Sequence, residues 1–129
     1  MIIVSIGGND LWGGTDWRNA PPPNPDAVMS EVMDRLQKVV RAIRTDNRRA
    51  RIFIVGLYNP FGSTPVGRQL TPWVNRWNAR LIERFSDDVN VTVVQTSDLF
   101  ADHDRLSFDR FHPGDEGYAL IARRIADAI

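Results

Sequence analysis

The sequence predicts an α/β protein built on a parallel sheet with helices on both faces. Three short apolar runs alternate with three longer stretches whose apolar residues recur at helical spacing. Such alternation is typical of parallel strands joined by right-handed helical crossovers. With 129 residues the chain has the size of one domain, so we expect residues 1–129 to form a single unit.

The first strand is predicted at Ile2 to Ile6. This run is apolar and has no clear polar face, as expected for a strand that is covered on both sides. It ends at Gly7-Gly8. A loop with Gly13, Gly14 and the run Pro21 to Pro23 is predicted to follow, because this glycine and proline content opposes regular structure.

A long helix is predicted after this loop. Asn24 is a suitable N-cap, and Pro25 stands at the first helical position, where a missing N–H does no harm. The apolar residues of this helix form a stripe that should pack on the sheet: Val28, Met29, Val32, Met33, Leu36, Val39, Val40 and Ile43.

The second strand is predicted within Arg51 to Tyr58 and ends at Asn59-Pro60. The next helix is predicted to begin with Thr71 as its cap and Pro72 at its first position. Its apolar stripe consists of Trp73, Val74, Trp77, Leu81, Ile82 and Phe85.

The third strand is predicted at Val89 to Gln95, a run rich in valine. An irregular acidic segment, Ser97 to Phe111, separates it from the last helix, which is predicted to begin just after His112. The apolar stripe of that helix consists of Tyr118, Ile121, Ala122 and Ile125.

The composition excludes several classes of function. Sixteen basic and sixteen acidic residues balance, and neither sign forms a long block, so we expect no nucleic-acid or anionic-membrane partner. The absence of cysteine excludes disulfides and thiolate metal sites. No apolar run approaches the roughly twenty residues of a membrane span, and no signal peptide is visible, so the sequence assigns no compartment.

Polar side chains follow two of the predicted strands. Asn9 comes directly after the first strand, and the segment Asp109 to His112 follows the third. Because the carboxyl ends of parallel strands meet at one edge of a sheet, we expect these groups to lie close together. A carboxylate three residues before an imidazole can hold the ring as a general base, and an asparagine amide can donate to an oxyanion.

The pair of motifs resembles the SGNH or GDSL family of serine ester hydrolases. Gly7-Gly8-Asn9-Asp10 is similar to the family's Gly-x-Asn-Asp block, and Asp109 to Pro113 contains its Asp-x-x-His block, with Gly117-Tyr118 beyond it. The resemblance runs through residues 1–129 in order and spacing. It implies a flavodoxin-like three-layer α/β/α fold, of which this chain is a partial domain without the N-terminal strand.

The resemblance also implies roles for three residues. His112 would be the general base and then the general acid, Asp109 would orient it, and Asn9 would donate its amide to the oxyanion. Asp10 would brace the turn. Family members use no metal or organic cofactor, and they act on small-molecule esters that their loops select. Four aromatic residues of the loops are candidates to line an acyl pocket: Trp12, Trp17, Phe61 and Phe111.

The nucleophile is missing from this picture. The chain contains neither the family's Gly-Asp-Ser block nor its second block, which supplies a glycine amide to the oxyanion hole. Three serines could be considered as substitutes. We expect Ser5 to lie inside the first strand and Ser107 to lie two residues before Asp109, so neither should sit on an exposed turn that faces His112. Ser63, in a loop, is the best of this poor set. The chain alone is therefore expected to be inactive, and the alternative function is a catalytically inactive binding or interaction module of the same fold.

The missing strand has a structural consequence. In the strand order that the resemblance implies, the nucleophile-bearing strand pairs with Ile2 to Ile6. Without it, an apolar edge is left open, which is a template for pairing with another chain. We therefore expect self-association, or binding of a complementary N-terminal half, through the edge of Ile2 to Ile6.

The sequence offers two other candidate sites. The first is a metal site built from Asp102, His103, Asp104, Asp109 and His112, which have suitable imidazole and carboxylate ligands but are also typical of a solvated acidic loop. The second is a phosphate cradle at Gly7-Gly8. The sequence disfavours it, because a loop is expected after these glycines rather than a helix whose amides could face an anion.

Overall fold

The computed structural model describes residues 1–12, 24–62, 64–101 and 103–129. The predicted loop with Gly13, Gly14 and Pro21 to Pro23 lies outside the described residues, as do Trp17, Ser63 and Asp102. The strands in the described part are β1 (Ile2–Val4), β2 (Ile52–Val55) and β3 (Val91–Val94). The helices are α1 (Gly8–Trp12), α2 (Pro25–Asp46), α3 (Pro65–Phe85) and α4 (Asp115–Asp127), with two short 3₁₀ helices at Ser97–Phe100 and His103–Arg105.

The three strands form one parallel sheet in the order β1-β2-β3, which confirms the predicted fold class. Ile52 of β2 pairs with Ile2 of β1 on one side and Val91 of β3 on the other. Each strand is shorter than the apolar run that predicted it. Val89, for example, is almost fully exposed and lies before β3. The chain turns at this point, where the Val91 N–H donates to the Asp88 carbonyl.

Helices cover both faces of the sheet, as predicted. On one face α2 and α3 contribute the main core cluster, in which Leu36, Trp77 and Leu81 pack against Ile52 and Ile54 of the sheet. On the other face Ile125 of α4 packs in a smaller cluster with Phe53, Val55 and Val94. The alternation of side chains along β2 therefore divides its residues between two cores.

Helix α2 begins as predicted. The Asn24 side chain accepts a hydrogen bond from the Ala27 N–H at 3.2 Å, and Pro25 occupies the first turn. Met29, Val32, Met33, Leu36 and Val40 are buried along the predicted stripe. Val39, which the prediction placed in that stripe, is 40% exposed, because it lies at the margin of the apolar face.

The predicted start of α3 was wrong. The helix begins at Pro65 with Thr64 as its cap, whose hydroxyl accepts the Gly67 N–H at 2.8 Å, so Thr71 and Pro72 lie inside the helix. The sequence contains the same Thr-Pro pair twice, and the earlier pair is the one used. Asn59 supports this start, since its amide donates to the Gly67 carbonyl at 2.7 Å and to the Thr71 hydroxyl at 2.9 Å.

The prediction of a loop directly after Gly7-Gly8 was also wrong. Gly7 has φ of +105°, and the five-residue helix α1 follows it. Leu11 explains the turn, because its N–H bonds the Gly7 carbonyl at 2.9 Å and its side chain is buried in the main core. A glycine is required at position 7 by this backbone conformation.

Strand β1 is not covered on both sides, contrary to the prediction. Val4 is buried in the main core, but Ile3 is 48% exposed and Ile6 is 43% exposed. Ile3 points to the face that α4 covers over β2, and among the described residues no strand pairs with the outer edge of β1. Within the described residues β1 and β3 are the two edge strands, and β1 is the one at which Ile3 is left half exposed.

The last helix begins at Asp115, three residues after His112, in agreement with the sequence. Ile125 is buried and Ile121 is partly buried, whereas Tyr118 is 57% exposed. In the described part of the chain no helix is both long and apolar enough to cross a membrane.

A substitution pair tests the start of α3. A methyl group at Gly67 would overlap the backbone carbonyl of Phe61, whereas one at Gly62 would have no atom closer than 3.8 Å. We expect Gly67→Ala to lower the free energy of unfolding by roughly 2–3 kcal/mol or more through overpacking, and Gly62→Ala to change it by less than about 0.5 kcal/mol. Urea unfolding measures both, and equal stabilities would contradict the described start.

Candidate active site

A compact turn carries the histidine. The Ser107 N–H bonds the His112 carbonyl at 2.8 Å, and the Arg110 N–H bonds the Ser107 carbonyl at 2.9 Å. Arg110 adopts φ of +55°, a left-handed conformation that is uncommon for a residue with a side chain. Leu106 and Pro113 form a bridge that closes the base of the turn.

His112 and Asp109 form a hydrogen-bonded pair within this turn. The Nδ1 atom of His112 lies 2.7 Å from Oδ2 of Asp109, and the two side chains are 60% and 35% exposed. A carboxylate on Nδ1 favours the tautomer in which that nitrogen carries the proton. The Nε2 atom is then left as the proton acceptor, which is what a general base requires.

The second oxygen of Asp109 is held by three donors. Oδ1 accepts from the Ser107 hydroxyl at 2.7 Å, from the Phe111 N–H at 2.9 Å and from the His112 N–H at 3.0 Å. The His112 side chain and these three donors keep the pKa of Asp109 well below its ordinary value. Asp109 is therefore a carboxylate at any pH at which His112 could act as a base.

Asn9 lies in the first turn of α1, directly beyond the carboxyl end of β1. Its side chain is exposed, and the described residues offer it no hydrogen-bond partner, so its amide is available to donate. The neighbouring Asp10 is 3.0 Å from the Arg35 guanidinium of α2, which agrees with a bracing role for Asp10.

The fold brings these groups to one cavity at the carboxyl edge of the sheet. The cavity has a volume of about 470 Å³, and its lining includes Asn9, His112, Gly7 and Gly8. Asp109 lies behind His112 as its hydrogen-bond partner. The predicted convergence of the two motifs on one sheet edge is thus what the structure contains.

Serines and aromatic residues around the cavity differ in part from expectation. Ser5 was expected inside the first strand, but β1 ends at Val4, and Ser5 is exposed and lines the cavity. Ser107 is engaged with Asp109. Phe111 lines the cavity, and its ring centroid lies 5.8 Å from that of Phe61, which packs against the main core.

The sequence interpretation missed one residue of this region. Tyr58 lines the cavity and donates its hydroxyl to the Phe111 carbonyl at 2.8 Å. The sequence carried no signal for it, because the predicted second strand extended to Tyr58, whereas β2 ends at Val55. The role of Ser107 as a donor to Asp109 was missed as well, because only its use as a nucleophile was considered.

The structure contains no group of three or more metal-ligating side chains within its described ranges. Asp102 lies outside those ranges. The carboxylate of Asp109 is already engaged by four donors of its own turn.

Comparisons with known proteins agree with the fold. A family model described as "GDSL-like Lipase/Acylhydrolase family" matches residues 1–120. The uncharacterized protein YpmR of Bacillus subtilis (strain 168) is 35% identical over 135 residues, which cover 99% of this chain and 53% of that protein. The crystal structure of the lipase Lip_vut3 from a goat rumen metagenome has a TM-score of 0.70 at 24% identity, over 98% of this chain and 63% of that one. The chain thus spans only about half to two-thirds of these relatives.

The donors to Asp109 predict how its titration responds to substitution. Ser107→Ala removes one donor and leaves the imidazole and two N–H groups, so the pKa of Asp109 should rise toward its ordinary value without reaching it. Because the folded-state pKa is lowered, the carboxylate stabilises the fold above the unfolded-state pKa, and this contribution disappears as pH falls through the folded-state pKa. The variant should lose it at a higher pH.

Carboxyl ¹³C NMR of Asp109 measures the titration directly, and acid unfolding measures its effect on stability. An Asp109 titration that is identical in the variant and the unmodified chain would contradict the described hydrogen bond of Ser107.

Proposed function

This chain belongs to the GDSL-like lipase/acylhydrolase family, and we propose that it contributes the general base, its orienting acid and an oxyanion donor to a serine ester hydrolase. The observation that supports this proposal is the shared cavity. It joins the imidazole of the Asp109–His112 pair with the amide of Asn9, to which the described residues offer no hydrogen bond, at one edge of the sheet.

In the proposed reaction, a serine hydroxyl attacks the ester carbonyl while Nε2 of His112 accepts the hydroxyl proton. The negative charge that develops on the carbonyl oxygen is stabilised by the Asn9 amide. His112 then donates the proton to the departing alcohol, which leaves an acyl-serine. A water molecule, deprotonated by the same imidazole, releases the carboxylic acid and restores the serine.

Asp109 supports both halves of this cycle. Its Oδ2 holds the imidazole in the tautomer that leaves Nε2 free, and its negative charge stabilises the imidazolium that forms when the serine is deprotonated. The lowered pKa of Asp109 keeps this charge in place throughout the working range of a histidine base.

We propose a small ester as the substrate, which the cavity and the family both support. The cavity combines polar groups at the carboxyl edge of the sheet with the apolar side chains of Ile3 in β1, Ile6 beyond it and Ile121 in α4. Its volume suits a small ester, with the reacting carbonyl between Asn9 and His112. Phe111 borders the same space and is proposed to contact the acyl group.

The nucleophile is proposed to come from polypeptide outside these 129 residues. The sequence contains no Gly-Asp-Ser block, and both relatives contain polypeptide beyond the matched region. The outer edge of β1 is where a further strand could pair with the sheet, and half-exposed Ile3 and Ile6 offer it apolar contacts. We propose that a complementary N-terminal segment carrying the serine occupies this edge, and that residues 1–129 alone turn over no ester.

The activity is tested on the longest polypeptide that the coding DNA encodes in frame with Met1, which we call the longer product. We expect it to contain Gly-Asp-Ser and to hydrolyse 4-nitrophenyl acetate or butyrate. His112→Ala should lower turnover by on the order of a millionfold and Asp109→Ala by roughly ten-thousandfold. Asn9→Ala should lower it by roughly a hundredfold to a thousandfold. His103→Ala, which replaces the only other histidine, is the control and should retain activity.

The results that count against the proposal are equally definite. A stop codon directly upstream, together with a chain that ignores both 4-nitrophenyl esters and fluorophosphonate probes, would favour the inactive binding module. Fluorophosphonate labelling of Ser5 in residues 1–129 would contradict an external nucleophile, since Ser5 lines the same cavity as His112.

The open edge is tested by sedimentation of residues 1–129 at micromolar concentration. Without the complementary segment, we expect self-association through β1. Ile3→Lys should reduce it, because a charge beside an edge strand opposes pairing. Ile82→Lys is the matched control, since Ile82 on α3 is 50% exposed and Ile3 is 48% exposed. A stable, folded monomer of the unmodified chain would contradict the proposed edge.

A further inference from the structure

Tyr58 connects the central strand to the turn that carries His112. It lies three residues beyond the end of β2 and has its ring stacked on the buried Phe100, with centroids 3.9 Å apart and planes inclined by 27°. From this position its hydroxyl donates to the Phe111 carbonyl at 2.8 Å. Phe111 is the residue immediately before His112.

The backbone next to Tyr58 is itself fixed. The buried amide of Asn78 bonds both the N–H of Leu57, at 2.9 Å, and its carbonyl, at 2.8 Å. Tyr58 therefore follows a residue whose N–H and carbonyl are both held by a side chain of α3.

The peptide group between Phe111 and His112 is held at both ends. Its carbonyl accepts from Tyr58, and its N–H, which belongs to His112, donates to Oδ1 of Asp109 at 3.0 Å. A peptide group is planar, so fixing its oxygen and its hydrogen fixes its orientation. Donation to the carbonyl also polarises the N–H at the other end of the group, which strengthens its bond to the carboxylate.

We infer that Tyr58 is a positioning residue for His112, and that its hydroxyl orients the imidazole toward the cavity by holding the Phe111–His112 peptide against Asp109. This inference rests on the proposed function for its catalytic meaning, although the contacts that support it are independent of activity. Tyr58 acts through the backbone and not on the reacting atoms.

The environment of the phenol suits this role. Burial of the ring, and then the nearby Tyr118 and Asp109, raise the pKa of Tyr58 above its ordinary value. The hydroxyl therefore stays protonated and remains a donor across the pH range in which a histidine base works. Phenylalanine would keep the stacking on Phe100 but would leave the carbonyl without this donor.

The test compares Tyr58→Phe with Thr96→Val in residues 1–129. Each variant removes one hydroxyl that donates to a backbone carbonyl, and Thr96 is fully buried. Imidazole ¹⁵N NMR, with His112 assigned by comparison with His103→Gln, measures the tautomer of His112 and the hydrogen bond of its Nδ1–H. Urea unfolding measures the loss of stability in both variants.

We expect Tyr58→Phe to increase the Nε2–H tautomer of His112 severalfold and to weaken the Nδ1–H signal. Thr96→Val should destabilise the fold but leave both properties of His112 unchanged. An unchanged imidazole in Tyr58→Phe, or equal changes in the two variants, would overturn the inference.

A kinetic measurement on the longer product separates this inference from the proposed function. Tyr58→Phe should lower kcat roughly tenfold to a hundredfold with KM changed less than about twofold, as expected when a reacting group is misplaced. If the longer product is inactive, the proposed function fails, while the NMR comparison still decides whether Tyr58 positions His112.

Discussion

The site depends on one carboxylate. Asp109 accepts hydrogen bonds from the side chain and the N–H of His112, from the N–H of Phe111 and from the Ser107 hydroxyl. The same group therefore folds the turn and holds the imidazole, so the local structure and the proposed chemistry share one set of bonds. An ion pair on the surface alone would contribute little to the free energy of folding. Here the backbone N–H donors also hold the carboxylate in the position from which it bonds the imidazole.

The remaining geometry follows from the parallel sheet. The carboxyl ends of parallel strands lie at one edge of the sheet, so the residues that follow them are brought close together by the sheet itself. Asn9 arrives from β1 and Tyr58 from β2, and both line the cavity with His112. The layer formed by α2 and α3 supports the main core, while α4 covers only part of the opposite face, which leaves Ile3 half exposed.

Sequence reasoning predicted the order of elements, the start of α2 and the meeting of Asn9 with His112, because each rests on local chemistry or on a general property of parallel sheets. It failed at α3, where two Thr-Pro pairs offer equivalent caps and a tertiary contact decides between them. The Phe61 carbonyl approaches the helix so closely that only a glycine fits at position 67. Sequence reasoning also missed the hydrogen bond from Tyr58 to the Phe111 carbonyl, because a contact between residues 53 positions apart leaves no local sequence pattern.

The left-handed conformation of Arg110 limits which residues the turn that carries His112 can accept there over evolution. Glycine, asparagine and aspartate adopt this conformation with the least strain, whereas valine, isoleucine and threonine are strongly disfavoured because of their branched Cβ. The residue at position 110 is therefore selected by the backbone conformation rather than by the chemistry of its side chain. We therefore expect only a few residue types at position 110, although its side chain is exposed and could otherwise carry either charge or none.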